Sequence, residues 1–120
     1  MGQPVIQFQM LAKNPEAQAA FYTNVFSWEV DANNALGYRV IKTGSDRGIN
    51  GGIWPIQPGA EGHSMVQLFI EVDDVAQYVE NVKSAGGGVV MPAQKLPDGD
   101  EMAIIIDPEG LPVGLFKPAK

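Results

Sequence analysis

An α+β fold built from two βαβββ repeats is the architecture this sequence predicts, and three observations predict it. An alternating apolar strand opens each half of the chain, a capped helix follows each of these strands, and three turn-bounded strand runs follow each helix. Residue echoes then recur in the same order. Ile6, Phe8 and Met10 match Val66, Leu68 and Ile70 at an offset of 60, Ala17-Gln18 matches Ala76-Gln77 at 59, and Asn24-Val25 matches Asn81-Val82 at 57. Small insertions explain the drift. A chain of 120 residues is the size of one domain, 1–120, with module one at about 1–58 and module two at about 62–120.

In the first module, Ile6, Phe8 and Met10 share one face of a strand, with Val5, Gln7 and Gln9 opposite. Asn14-Pro15-Glu16 starts a helix: Asn caps, Pro takes the first turn and Glu suits the helix dipole. Ala17, Ala20, Phe21, Val25 and Trp28 follow at near-helical spacing and are expected to form its core face. Strands are expected near 28–31, 36–43 and 48–54, split by Asn33-Asn34 and Gly44-Ser45-Asp46. In the second module, Val66, Leu68, Ile70 and Val72 form one face of a strand, with Met65, Gln67, Phe69 and Glu71 opposite. Asp73-Asp74 caps a helix whose Val75, Tyr78, Val79 and Val82 fall at i, i+3, i+4 and i+7. Gly86-Gly87-Gly88 closes it, and strands are expected near 88–92, 100–106 and 111–116. Pro97-Asp98-Gly99 and Asp107-Pro108-Glu109-Gly110 read as hairpin turns.

Composition narrows the function. There is no cysteine, which excludes disulfides, thiolate metal sites and a cysteine nucleophile. The net charge of −6 repels phosphate backbones, so nucleic acid is not expected as a partner. No apolar run is long enough to span a bilayer and no basic leader precedes one, so the expectation is a cytoplasmic protein with no membrane partner.

Several short motifs carry a family resemblance. Phe21-Tyr22 precedes Val25-Phe26-Ser27-Trp28, Val72-Asp73-Asp74-Val75 opens the second helix, Ala85-Gly86-Gly87 closes it, and Asp107-Pro108-Glu109-Gly110 precedes the last strand. In this order they resemble the vicinal oxygen chelate superfamily of glyoxalases, bleomycin-resistance proteins and extradiol dioxygenases, which commonly has FY…(V/L)(L/F)GW at the first of these places. The resemblance covers the whole chain. It implies two curled βαβββ sheets around a cavity, usual pairing as a homodimer, and a divalent metal held by His, Glu or Gln from the first and last strand of each module. Here those positions fall on Gln7, Gly52, Gln67 and Gly114, which supply two neutral amides and two residues with no ligating atom. No metal and no other cofactor is therefore expected.

Strand alternation points Gln7, Gln9, Asn50, Trp54, Gln67, Phe69, Glu71 and Phe116 into the cavity. Amides and aromatic rings with one carboxylate suit a small, cationic or aromatic ligand; the same rings can equally plug the space. The first functional expectation is thus a metal-free, glyoxalase- and bleomycin-resistance-like protein that binds a small molecule. The alternative is a metal-dependent or acid–base enzyme of the same superfamily, a lyase, isomerase or dioxygenase, with Glu71 as its candidate base. Glycines Gly51-Gly52 allow close approach or a bulge, and the single histidine, His63, reads as a loop residue.

Overall fold

In a computed structural model, residues 2–57 and 63–119 are described; the expected junction between the modules, around 58–62, lies outside the described residues. The elements are β1 (Val5–Ala12), α1 (Pro15–Phe26), β2 (Glu29–Asp31), β3 (Arg39–Lys42), β4 (Asn50–Pro55), β5 (Met65–Glu71), α2 (Val75–Ser84), β6 (Gly88–Lys95), β7 (Glu101–Ile106) and β8 (Pro112–Lys117). This is βαβββ twice, an α+β fold as the sequence predicts. The chain groups into two compact units, Gln7–Gln67 and Met1–Ile6 with Leu68–Lys120. Neither helix is long and apolar enough to cross a membrane.

In the first unit the strand order is β2-β3-β4-β1, with β1 parallel to β4 and the other pairs antiparallel. Its core is Met10, Ala12, Ile41 and Ile53, covered by Phe8, Ala19, Tyr22, Trp28 and Val30. The Asn14 side chain accepts a hydrogen bond from the Ala17 backbone N–H at 3.1 Å, capping α1 as expected. The expected core face of α1 is corrected: Ala17, Ala20, Phe21 and Val25 are exposed, Phe21 and Val25 by 54% and 55%. Apolar residues surround most of this helix, so spacing alone does not select a face. Aromatic contact selects it, because Tyr22 stacks on Trp28 (centroids 4.9 Å, 12° between planes) and Trp28 packs on Phe8 at 5.9 Å.

The second unit repeats the plan as β5-β8-β7-β6, with β5 parallel to β8. Here helical periodicity does select the face. Val75 and Val79 are buried against Ala103, Ile105 and Leu115, flanked by Tyr78 and Val82. Gly86 closes the helix at φ +96°, and the Gly87 N–H donates to the Val82 carbonyl at 2.9 Å. Of the β5 face that carries Val66, Leu68, Ile70 and Val72, Ile70 and Val72 join this core, whereas Leu68 is 49% exposed and, in the first unit, Val66 is 64% exposed. The α2 cluster reaches only the C-terminal end of that strand. β6 extends beyond its expected end to Lys95 through irregular register around Met91, next to Pro92, which an outer strand tolerates.

β3 begins three residues later than expected, at Arg39, because Asn34 holds the preceding loop. Its Oδ1 accepts from the backbone N–H of Leu36 (3.2 Å) and Tyr38 (2.9 Å), and its Nδ2 donates to the Tyr38 carbonyl at 2.7 Å.

Ser27 ends α1 in the left-handed region, at φ 61° and ψ 28°, while its N–H donates to the Thr23 carbonyl. That conformation costs a side-chain-bearing residue roughly 1–2 kcal/mol, of which glycine's greater chain entropy offsets part. Ser27→Gly is expected to stabilise the protein by about 1 kcal/mol, read as a higher urea midpoint at unchanged slope.

Candidate functional site

In the unit Gln7–Gln67, the face of β1 opposite the core carries Gln7, Gln9 and Leu11. The parallel register sets Gln9 beside Gly52 and Leu11 beside Trp54 on β4. Val40 of β3 pairs with Gly52, so Tyr38, two residues earlier, lies diagonally across from it. Its ring occupies the space a side chain at position 52 would need: a Cβ on Gly52 would run into the Tyr38 ring. Glycine is required here by close approach, and the aromatic covers the gap it leaves.

A chain of hydrogen bonds starts at this ring. The Tyr38 hydroxyl donates to Gln9 Oε1 at 2.9 Å, and Gln9 Nε2 donates to Gln67 Oε1 at 2.9 Å. Gln67 Nε2 then points at Met65 Sδ, 3.8 Å away. Gln9 and Gln67 are only 8% and 5% exposed, so each amide depends on these partners. Burial pushes the Tyr38 phenol well above its ordinary value near 10. The Trp54 ring lies 5.6 Å from that of Tyr38, and both are half-buried.

Of the residues expected from the sequence, Gln9, Gln67 and Trp54 therefore come together, and Tyr38 joins them unforeseen. Gln7 is half-buried and registers with Asn50 rather than Gly52. Asn50 is exposed, and its Oδ1 accepts from the Thr43 N–H at 3.0 Å, closing the β3–β4 hairpin. In the second unit Phe69 is 2% exposed and packs on Gly114, whose missing side chain its ring replaces, within 2.8 Å of where a Cβ would stand. Phe116 lies edge-on to Phe69 at 6.2 Å. Glu71 registers directly with Phe116 and is half-buried in an open groove of about 320 Å³ with Gln3, Pro4, Asp73 and Lys117. His63 is exposed. The signal for Tyr38 was the glycine pair in β4, read above as close approach or a bulge. The close approach is by the protein's own rings, Phe8 at Gly51 and Tyr38 at Gly52.

A divalent metal held from the positions that the resemblance implies does not suit these residues. The Gln67 amide oxygen already accepts from Gln9, aromatic rings fill the space at Gly52 and Gly114, and neutral amides are weak donors for such ions. Among the described residues no three His, Cys, Asp or Glu side chains cluster.

Residues 5–115 match the family described as the Glyoxalase/Bleomycin resistance protein/Dioxygenase superfamily, and the chain belongs to that family. Among curated proteins it is 37% identical over 107 residues to "Putative glyoxylase CFP32" of Mycobacterium bovis and of Mycobacterium tuberculosis. The match covers 84% of this chain and 40% of those relatives, so the chain spans less than half of their length. Among solved structures it is similar to the methylmalonyl-CoA epimerase of Mycobacterium tuberculosis (TM-score 0.68, 14% identity, 97% of this chain and 88% of that one). It is similar also to a hypothetical protein of Bacillus halodurans (TM-score 0.69, 9% identity, 100% and 97%). At such identities these two likenesses speak for the fold alone.

Removing the Tyr38 hydroxyl leaves the buried Gln9 oxygen without its donor, so Tyr38→Phe is expected to cost about 1–3 kcal/mol in denaturant unfolding. The pH dependence has a fixed sign. Between pH 10 and the raised folded-state value, the unfolded chain releases the Tyr38 proton while the folded chain keeps it, so stability falls as pH rises. An alkaline titration followed by phenolate absorbance is expected to show the Tyr38 phenol, identified by its loss in Tyr38→Phe, ionising well above pH 10; ionisation of that phenol near pH 10 would contradict it.

Proposed function

We propose that this chain is a metal-independent member of its superfamily that binds a small, flat compound against Trp54 and Tyr38, beside the amides of Gln9 and Gln67. The observation that carries this reading is the Tyr38 ring over Gly52 with its hydroxyl engaged by Gln9. The space that a metal ligand would take is given to an aromatic surface, and the polar groups beside it are amides rather than imidazoles or carboxylates. Rings that are half-buried keep area for stacking, and a net charge of −6 favours a ligand bearing positive charge.

The name of the mycobacterial relatives favours a second reading, an enzyme of the lyase or isomerase type in which Glu71 would move a proton from its groove. Elemental analysis of the purified protein separates the two metal-dependence claims. The binding reading expects well under one equivalent of zinc, nickel, manganese or iron per chain, and a value near one revives the enzyme.

A homodimer belongs to this proposal. Phe21, Val25 and Phe26 leave an apolar stripe on α1, each about half exposed, which a partner surface would cover. Light scattering at micromolar concentration is expected to give about twice the 12.9 kDa chain mass, and a monomer would count against pairing. For the ligand, calorimetry with N-methylquinolinium is expected to show binding that Trp54→Ala weakens about five- to thirty-fold, the equivalent of roughly 1–2 kcal/mol of ring contact. Absence of binding below millimolar concentration would sink the reading.

A further inference from the structure

The hydrogen-bond chain through the two glutamines has a direction, and both of its ends fix it. At one end the buried Tyr38 phenol keeps its proton and must place it on an acceptor; Gln9 Oε1, 2.9 Å away, takes it. With its oxygen so used, Gln9 can only donate to Gln67, and Gln67 accepts through Oε1. At the other end stands Met65 Sδ, which can accept weakly and cannot donate, so the group of Gln67 that faces it is the amide N–H. Reversing both amides would leave the phenol proton without an acceptor and set an amide oxygen against sulfur. All donors thus point one way, from Tyr38 through Gln9 to Gln67.

The last donor is the least well used. Gln67 Nε2 carries two hydrogens in a residue that is only 5% exposed, and among the described residues its acceptor is the soft Met65 sulfur at 3.8 Å. An oxygen acceptor placed there would complete the chain, and each upstream bond would polarise the final N–H toward it. We infer that the site recognises a neutral carbonyl oxygen on a flat aromatic compound, with Gln67 Nε2 as the donor and the Trp54–Tyr38 pair as the stacking surface. The inference rests on the binding reading above and adds the polar handle of the ligand. A carboxylate is disfavoured, because amide donors alone do not offset the desolvation of a buried anion and the protein's net charge of −6 opposes it.

The test is a calorimetric comparison of matched probes on the intact chain. 1-Indanone and indane differ only by a carbonyl in place of a methylene, and 1-indanone is expected to bind about ten-fold tighter, as one well-made buried hydrogen bond allows. Indane-1-carboxylate is expected to bind more weakly than 1-indanone. In Gln67→Glu, which has the same shape and presents oxygen instead of N–H, the indanone-to-indane ratio is expected to fall to near one. Gln67→Leu repeats that test where the glutamate disturbs folding, each variant being checked by its thermal midpoint. Equal binding of 1-indanone and indane, or a ratio unchanged in both variants, overturns the inference while the aromatic-site reading stands. Tighter binding of the carboxylate overturns the neutral assignment. Failure of both indanes while N-methylquinolinium still binds also removes the carbonyl inference alone, whereas failure of all three removes the binding reading with it.

Discussion

Tyr38 can lie where it does only because position 52 carries no side chain. That single steric allowance orders much of the first unit. It lets a phenol reach under the sheet face to Gln9, it turns Gln9 toward Gln67, and it settles the ring next to Trp54. A larger residue at 52 would displace the ring, and the two glutamines would then be buried amides with part of their hydrogen bonding lost. Each such loss costs on the order of 1–3 kcal/mol, so the glycine and the polar chain stand or fall together.

The loop that delivers Tyr38 is equally determined. Asn34 binds both backbone groups of Tyr38, which takes that residue out of the β3 ladder and leaves its side chain free to fold over β4. The result is a tyrosine fixed at its backbone by an amide and at its hydroxyl by another. Such double fixing limits the rotamers of the ring, so the flat ligand proposed above would find little ordering left to be done on binding.

What could be read from the sequence divides along physical lines. Elements with one dominant signal were legible: α2, whose Val75, Tyr78, Val79 and Val82 define a single apolar stripe, and the caps at Asn14, Asp74 and Gly86. α1 was legible as a helix but not in its orientation, because Phe21, Val25 and Phe26 make a second apolar stripe that competes with Ala19 and Tyr22. At the site, strand alternation found Gln9, Gln67 and Trp54 because that rule needs only local parity. Tyr38 escaped it, since its position depends on the Asn34 loop and on a cross-strand diagonal. The register of β1 against β4, which sets Gln9 rather than Gln7 beside Gly52, is likewise a property of pairing and not of either strand.

The duplication explains why the two units use the same device for different ends. In each, the first strand registers in parallel with the last, and a glycine on the last strand sits beside a residue of the first: Gly52 beside Gln9, Gly114 beside Phe69. In the second unit the first-strand residue itself supplies the ring that covers the glycine, so the place is closed by an apolar side chain. In the first unit the ring comes from the loop before β3, which frees the first-strand position for a polar residue. A glutamine can be buried there only because the covering ring is a tyrosine rather than a phenylalanine, since the hydroxyl supplies the donor that its oxygen requires. Buried polar side chains are therefore confined, among the described residues, to the unit in which the covering ring comes from outside the first strand. The same glutamine at position 69 would meet only Gly114 and an apolar ring, and its burial would be uncompensated.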